Sequence, residues 1–284
     1  MKHYTRFRAY QLGTSGASFS LSVDSHFTLI EARYNDSNSP HIKWEMKLCG
    51  ISRIDVLHIT SWDLDHCSNA EIDTLLKELN PKRIEMPSYA PHTDNAKSAK
   101  RKLLAHNSEK ILITPSMVIR EPHKRLYAQD IVYNPSENTD KSNDNSIAKI
   151  FRIGSFTVLS LGDCESEEIR DSLIGDDIIT NEVDILILAH HGADNGFTTL
   201  DFLKAVKPKV AVCASDYGNK YGHPDNVILQ RLRAAKVDYY STKTGDIIAQ
   251  SIDKYKFKVS NYISNNEQKA SAKIYFNKTY YVAD

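Results

Sequence analysis

The chain has 284 residues, 36 of them basic and 36 acidic, so it can bury a substantial core and carries no global charge that would mark a polyanion or a lipid surface as its partner. Its four cysteines, Cys49, Cys67, Cys164 and Cys213, are too widely spaced for a disulfide ladder or a zinc ribbon, which favours a reducing, cytoplasmic setting. No run approaches the roughly 18 apolar residues of a membrane span, and Met1-Lys2-His3-Tyr4-Thr5-Arg6 lacks the apolar centre of a signal peptide, so no membrane partner is expected.

Taken in chain order, residues 6–12, 18–23 and 27–32 read as a meander of short strands, punctuated by Gly13-Thr14-Ser15-Gly16 and Asp24-Ser25-His26. A largely apolar strand follows at 54–59. Asn69 then stands where it can cap a helix to about Leu79, with Ile72, Leu75, Leu76 and Leu79 at helical spacing. From about 80 to 142 the pattern weakens among prolines at 81, 87, 91, 115, 122 and 135, which predicts a poorly patterned insertion of loops. Regularity returns with strands at 146–152, 156–161, 183–189, 209–214 and 238–242, and with helices after Cys164, near 199–206 and at 225–235. A last pair of strands, at 255–262 and 272–282, makes a C-terminal extension from about 251. Strands then helices, twice over, predict one α/β domain over 1–284 in which two sheets lie between outer helices.

The chemistry-bearing residues sit where those strands end. Ser61-Trp62-Asp63-Leu64-Asp65-His66 follows the strand at 54–59, and Gly162-Asp163 follows 156–161. His190-His191-Gly192 follows 183–189, and Tyr221-Gly222-His223-Pro224 lies in the loop after 209–214. Imidazoles and carboxylates converging from separate strand ends are what a divalent metal, or a pair sharing a bridging carboxylate, requires. Each short motif alone is more often an ordinary turn, so the information lies in the ordered set.

That ordered set resembles the metallo-β-lactamase superfamily, and within it the metallohydrolase domain of competence, DNA-uptake proteins. The His-x-Asp-x-Asp-His of that branch is similar to Ser61-Trp62-Asp63-Leu64-Asp65-His66, and its Leu-Gly-hydrophobic-Asp lead-in to Leu48-Cys49-Gly50-Ile51-Ser52-Arg53-Ile54-Asp55. Its Asn-x-Ser strand resembles Asn143-Asp144-Asn145-Ser146, and its Thr-Gly-Asp turn with following glutamates resembles Leu161-Gly162-Asp163-Cys164-Glu165. His190-His191-Gly192-Ala193 and Asn219-Lys220-Tyr221-Gly222-His223-Pro224 complete the likeness, which runs from about residue 6 to 250.

The resemblance implies an αββα four-layer sandwich with the site along one edge of its sheets. It implies one or two divalent ions, zinc or manganese, with magnesium also suited to so oxygen-rich a ligand set. Asp163 would bridge, Asp65, His66 and His223 would serve one ion, and Asp63 with His190 or His191 the other. Asp65, His190 and His191 form the implied catalytic group, the histidine of the pair that holds no metal being available to bind substrate or protonate a leaving group. Four residues depart from the pattern. Ser61 replaces the first histidine, Glu31 stands in place of a supporting aspartate, and Ser15 and Ala17 alter a glycine-rich turn.

Such a centre hydrolyses phosphodiesters through a metal-activated water, which predicts a nuclease acting on DNA or RNA. Lys100 and Arg101, in a basic helix with Lys97 and Lys102, are candidate phosphate contacts or else a solvated helix face. Trp62 either stacks on a base or packs beneath its loop, and Tyr221 either lines a substrate pocket or packs. The sparse basic surface leaves room for a protein partner in a larger assembly. The competing expectation, suggested by Ser61, is a degenerate, non-catalytic domain that binds a nucleotide or a partner protein.

Overall fold

A computed structural model of the protein describes residues 4–115, 130–264 and 266–278. Strands β1 (Thr5–Ala9), β2 (Phe19–Val23) and β3 (His26–Ile30) form the expected antiparallel meander. Their alternation sends Phe7, Phe19, Leu21 and Ile30 to one face and Tyr10, Phe27 and Leu29 to the other, and both faces are buried. Helix α1 (Ser39–Leu48) follows, with Pro40 in its first turn, where the missing N–H costs nothing. Next come β4 (Val56–His58), α2 (Asn69–Leu79), β5 (Arg83–Pro87), α3 (Asp94–Ala105) and β6 (Glu109–Ile113). Ser68, not Asn69, is the N-cap residue of α2, and Asn69 opens the helix.

The second half begins with β7 (Ile131–Tyr133), β8 (Ala148–Phe151) and β9 (Val158–Ser160), continuing through α4 (Glu167–Ile174) and α5 (Asp177–Glu182) to β10 (Ile185–Ile187). Helix α6 (Leu200–Val206), β11 (Val210–Cys213), α7 (Asn226–Ala234) and β12 (Asp238–Ser241) complete the crossovers. Strands β13 (Ile247–Ser251), β14 (Lys256–Ile263) and β15 (Gln268–Phe276) then return to the first sheet. One sheet has the order β15-β14-β13-β1-β2-β3-β4-β5-β6 and the other β12-β11-β10-β9-β8-β7.

Three apolar clusters define the layers. Phe7, Phe19, Phe151, Val158, Val212 and Phe257 fill the space between the sheets. Residues of α1, α2 and α3 pack on the outer face of the first sheet, and residues of α4, α5, α6 and α7 on the outer face of the second. The result is the expected αββα sandwich.

The loop insertion expected over 80–142 is not what residues 83–113 form. They supply β5, α3 and β6, which extend the first sheet in parallel beyond β4. Pro87 ends β5, so proline marks an element boundary here without interrupting the element. Strand β6 lies at the sheet edge and is largely exposed, which weakens its alternation in the sequence. Pro122 and His123 fall outside the described residues, as does the end of the strand expected at 272–282. The C-terminal extension is a hairpin: β14 and β15 continue the first sheet from β13.

A charged cluster bridges the two sheets. Glu85 on β5 accepts from Lys149 on β8 at 2.9 Å and lies 2.8 Å from His58 Nδ1 on β4, and all three side chains are almost fully buried. His58 is thus a core strand histidine, as its alternation with Leu57 suggests, held through Nδ1 by Glu85 while its buried Nε2 finds no hydrogen bond. Removing the carboxylate charge beneath a buried lysine is costly. Glu85→Gln is expected to lower unfolding stability by about 3 kcal/mol, read from urea denaturation at neutral pH.

Candidate metal centre

Strands β3 and β4 run parallel, as do β9, β10 and β11. Their carboxyl ends, and the loops that follow them, therefore gather at one edge of the sandwich. The hexapeptide is a tight turn there, with the amides of His66 and Cys67 both donating to Asp63 O. It is anchored from two sides, since Ala32 N donates to His66 O at 2.7 Å and Ala17 N to Asp65 O at 2.9 Å. Gly16 permits that second approach. At φ 130° it carries no Cβ, and one added there would lie 2.1 Å from Arg33 Nη1 and 2.6 Å from Asp65 O. Arg33, held by Glu71 at 3.0 Å, donates to Ser15 O at 2.8 Å and locks the turn down.

Asp163 is placed by a similar close approach. Gly162 has φ 54°, where a Cβ would meet Ser146 Oγ and Thr60 Oγ1 at 2.6 Å, and Asp163 N donates to Ser146 Oγ at 3.0 Å. The His190-His191-Gly192 turn is left-handed at three successive residues, with φ of 46°, 53° and 81°. That backbone is strained for histidine, and it turns the two imidazoles apart.

The structure brings four of the expected residues together. Asp65, His66, Asp163 and His191 each offer a ligand atom, and these atoms all lie within 4.8 Å of one another. Their imidazoles are oriented from behind. His191 Nδ1 donates to Ala214 O at 2.8 Å, so Nε2 faces Asp65 Oδ2 at 3.3 Å and Asp163 Oδ1 at 3.7 Å. His66 Nδ1 lies 3.2 Å from Glu31 Oε1, so Nε2 faces Asp163 Oδ1 at 2.9 Å. Glu31 is itself fixed by Thr60, whose amide and hydroxyl donate to it at 3.1 and 2.6 Å. It fills the supporting position assigned to it, at φ 70°.

His66 Nε2, His191 Nε2 and Asp163 Oδ1 are buried atoms that face one another and Asp65 without forming a well-aligned hydrogen bond. Lone-pair atoms converging on one point in this way are expensive, and a cation satisfies all of them at once. Two carboxylates and two imidazoles suit zinc or manganese, so the residues fit the divalent ion that the resemblance implies. Burial opposes charge on each of the four, but their mutual attraction outweighs it. The facing His191 imidazole and the charge of His66 hold Asp65 below the usual carboxylate range, and the two imidazoles do the same for Asp163. The Asp163 and Glu31 carboxylates hold His66 well above its ordinary value.

Asp63, His190 and His223 stand outside this group of four. Asp63 Oδ2 accepts from Ser61 Oγ at 3.1 Å, and Ser61 in turn lies 3.5 Å from Ser142 Oγ. His190 Nδ1 is 2.7 Å from Glu165 Oε1, which also accepts from Asn143 Nδ2 at 3.0 Å. The place expected for His223 beside Asp65 and His66 is taken by His191. His223 instead lies 3.6 Å from Asp225 and stacks with Tyr221. Asp65, His190, His191, Tyr221 and His223 all line a cleft of about 810 Å³.

Two expected substrate contacts are structural. Trp62 is 2% exposed and its indole N–H donates to Tyr89 O at 3.2 Å, which corrects the stacking expectation in favour of packing. Lys100 lies 5.3 Å over that indole and donates to Ser88 O and Tyr89 O, so its charge is spent in holding the loop. Its neighbour Lys102 pairs with Asp73 at 2.7 Å, while Arg101 is exposed and reaches Ser98. Lys100 and Lys102 of the basic helix are therefore engaged within the protein, while Arg101 faces solvent. Burial pushes the Cys67 thiol up to about 12 and the Cys213 thiol to about 11, as befits core fillers. Asn143 and Glu165 stand in the motifs that carry the resemblance, but their role as partners of His190 was not legible there, and Arg33 with Glu71 behind Asp65 carried no signal in the sequence pattern.

Solved structures similar to this one include the metallo-beta-lactamase fold protein YhfI of Bacillus subtilis, at TM-score 0.53 and 12% identity over 87% of this chain and 100% of that one. Tm1679, a metal-dependent hydrolase of the beta-lactamase superfamily, matches at TM-score 0.52 and 16% identity over 85% and 98%. CmlA beta-hydroxylase matches at TM-score 0.55 and 10% identity over 87% and 54%. The protein has the metallo-β-lactamase fold.

No family model matches the chain. By sequence it is similar to ComE operon protein 3 of Bacillus subtilis (strain 168), 28% identical over 193 residues, 65% of this chain and 23% of that protein. It is also similar to competence protein ComA of Neisseria gonorrhoeae, 30% identical over 135 residues, 43% of this chain and 19% of that protein. The chain thus spans less than a quarter of the length of these relatives. No helix among the described residues is long and apolar enough to cross a membrane.

The geometry makes the ligand assignment testable. Asp163→Ala and His191→Ala are each expected to weaken zinc or manganese binding at least about tenfold, and His190→Ala less than about threefold, in calorimetric titrations. Gly16→Ala, which drives a methyl group into Arg33 and the Asp65 carbonyl, is expected to lower the melting temperature and metal affinity together.

Proposed function

We propose that the protein is a divalent-metal-dependent hydrolase of phosphodiester bonds, most simply a nuclease. The observation that carries this reading is the convergence of three buried atoms, on His66, His191 and Asp163, directly behind an open cleft that Asp65 and His191 line. The Asp65 side chain is 35% exposed while that of His66 is 2% exposed, so the group is closed from behind and open on the cleft side. That asymmetry is the mark of a reactive site and not of a structural one. When bound there, a divalent ion supplies a Lewis acid that acidifies a water and neutralises phosphate charge.

The chain's own residues do the rest. Glu165 takes the Nδ1 side of His190, which leaves the rest of that imidazole directed into the cleft it lines, suited to hydrogen-bond a phosphate oxygen or protonate a leaving group. His223 lines the same cleft and adds a hydrogen-bond donor beside an anionic substrate. The resemblance to DNA-uptake hydrolase domains favours DNA or RNA over a small acyl substrate. The similarity to the competence proteins favours work within a larger assembly. Ser61, which ties up Asp63 with a hydrogen bond, is the observation behind the second reading, a domain that binds without turnover.

Cleavage of bis(4-nitrophenyl) phosphate, plasmid and oligonucleotide with manganese, zinc or magnesium separates the two. Metal-dependent cleavage that falls at least about a hundredfold in Asp163→Ala is expected; its absence with every metal favours the binding domain. Glu165→Ala is expected to lower kcat about tenfold with little change in KM, and Glu165→Gln, whose amide oxygen still accepts from Nδ1, to retain most of the rate.

A further inference from the structure

The loop over residues 214–225 carries a tyrosine that the core does not use. Tyr221 is 66% exposed, and its ring lies nearly parallel to that of His223, 18° apart with centroids 5.7 Å apart. Beside the cleft, so exposed an aromatic ring, supported by His223, offers a π face to a ligand. The loop holds it in place. Asn219 is the hub, its Oδ1 accepting from His223 N at 2.7 Å and its Nδ2 donating to Asp216 O and His223 O at 3.0 Å. Asp225 N donates to Gly192 O at 3.0 Å, and a Cβ on Gly192 would lie 2.6 Å from Pro224 Cβ, so the loop is seated directly on the His190-His191 turn. The loop that carries Tyr221 is therefore held across a cleft that Asp65 and His191 of the four-ligand group also line.

We propose that Tyr221 is a stacking platform for an unpaired nucleobase whose adjoining phosphate enters the four-ligand centre, a proposal that rests on the phosphodiesterase reading. The cleft of about 810 Å³ has the volume of a small-ligand site and accommodates a nucleotide. The ammonium of the exposed Lys220 lies 4.7 Å from the Tyr221 centroid, where it can pair with the backbone phosphate that arrives with the base. A base within a duplex already has both faces stacked and its edge paired. Only a single strand, a frayed end or a free nucleotide offers a face to this ring.

Anisotropy titrations of the full chain, with a chelator present to prevent turnover, test the platform with three labelled probes. These are a single-stranded oligonucleotide, an abasic strand of the same length and charge, and a blunt duplex. The base-bearing strand is expected to bind at least about fivefold more tightly than the abasic strand, as base–aromatic stacking provides. Tyr221→Ala should erase that difference and Tyr221→Phe preserve it. Equal binding of the two strands, no binding of the base-bearing strand, preferential binding of the duplex, or a base dependence that survives Tyr221→Ala would each overturn the proposal. Metal-dependent hydrolysis of bis(4-nitrophenyl) phosphate is measured beside it. Hydrolysis without base dependence removes the platform alone, and base dependence without hydrolysis removes the phosphodiesterase reading alone.

Discussion

A buried line of polar atoms from Glu31 through His66 to Asp163 joins the two sheets at the edge where the site lies. Glu31 follows β3 in the first sheet, His66 follows β4 beside it, and Asp163 follows β9 in the second, with contacts of 3.2 and 2.9 Å. The inter-sheet core of Phe7, Phe19, Phe151 and Val158 sets the spacing of the layers, and that spacing decides whether the line closes. The ligand group is in this sense a consequence of how the sandwich packs. Glu85 with Lys149 makes a second charged tie between the same two sheets. A buried charge of this kind specifies one arrangement of the layers more than it adds net stability.

The site concentrates features that are unfavourable elsewhere. Two adjacent histidines adopt left-handed backbone, Glu31 does likewise, and several imidazole and carboxylate atoms lack a well-aligned hydrogen bond in the interior. Each costs free energy, and each aims a lone pair toward one point. The close approaches at Gly16 and Gly162 serve the same end, since they bring the turns that carry Asp65 and Asp163 within reach of each other. At this edge strain, close approaches and buried polar atoms without a well-aligned hydrogen bond fall together on the residues that carry the ligand atoms and their neighbours.

The fold by itself does not choose the reaction. One of the similar structures is described as a β-hydroxylase and another as a metal-dependent hydrolase, so the choice must come from the side chains around the cleft. Here they form two tiers. His191 faces the ligand group with Nε2, while His190 turns away from it to Glu165 and lines the cleft. The adjacent histidines thus have different work, a division imposed by successive left-handed residues.

Much of this was legible in the sequence. The apolar strands, the helix carrying Ile72, Leu75, Leu76 and Leu79, and the placement of Asp65, His66, Asp163 and His191 after strands follow from local pattern, because strand alternation and helical spacing are properties of neighbouring residues. Residues 83–113 were hidden because prolines at element boundaries and an exposed edge strand blur that pattern. The sequence by itself determined the layered α/β class and the pool of ligand-type side chains. Only the tertiary structure decided that His191 and not His223 joins Asp65 and His66, that Ser61 engages Asp63, and that Trp62 and Lys100 support a loop. These are matters of direction within a few ångströms, set by backbone angles and by contacts between residues far apart in the chain, to which no local pattern is sensitive.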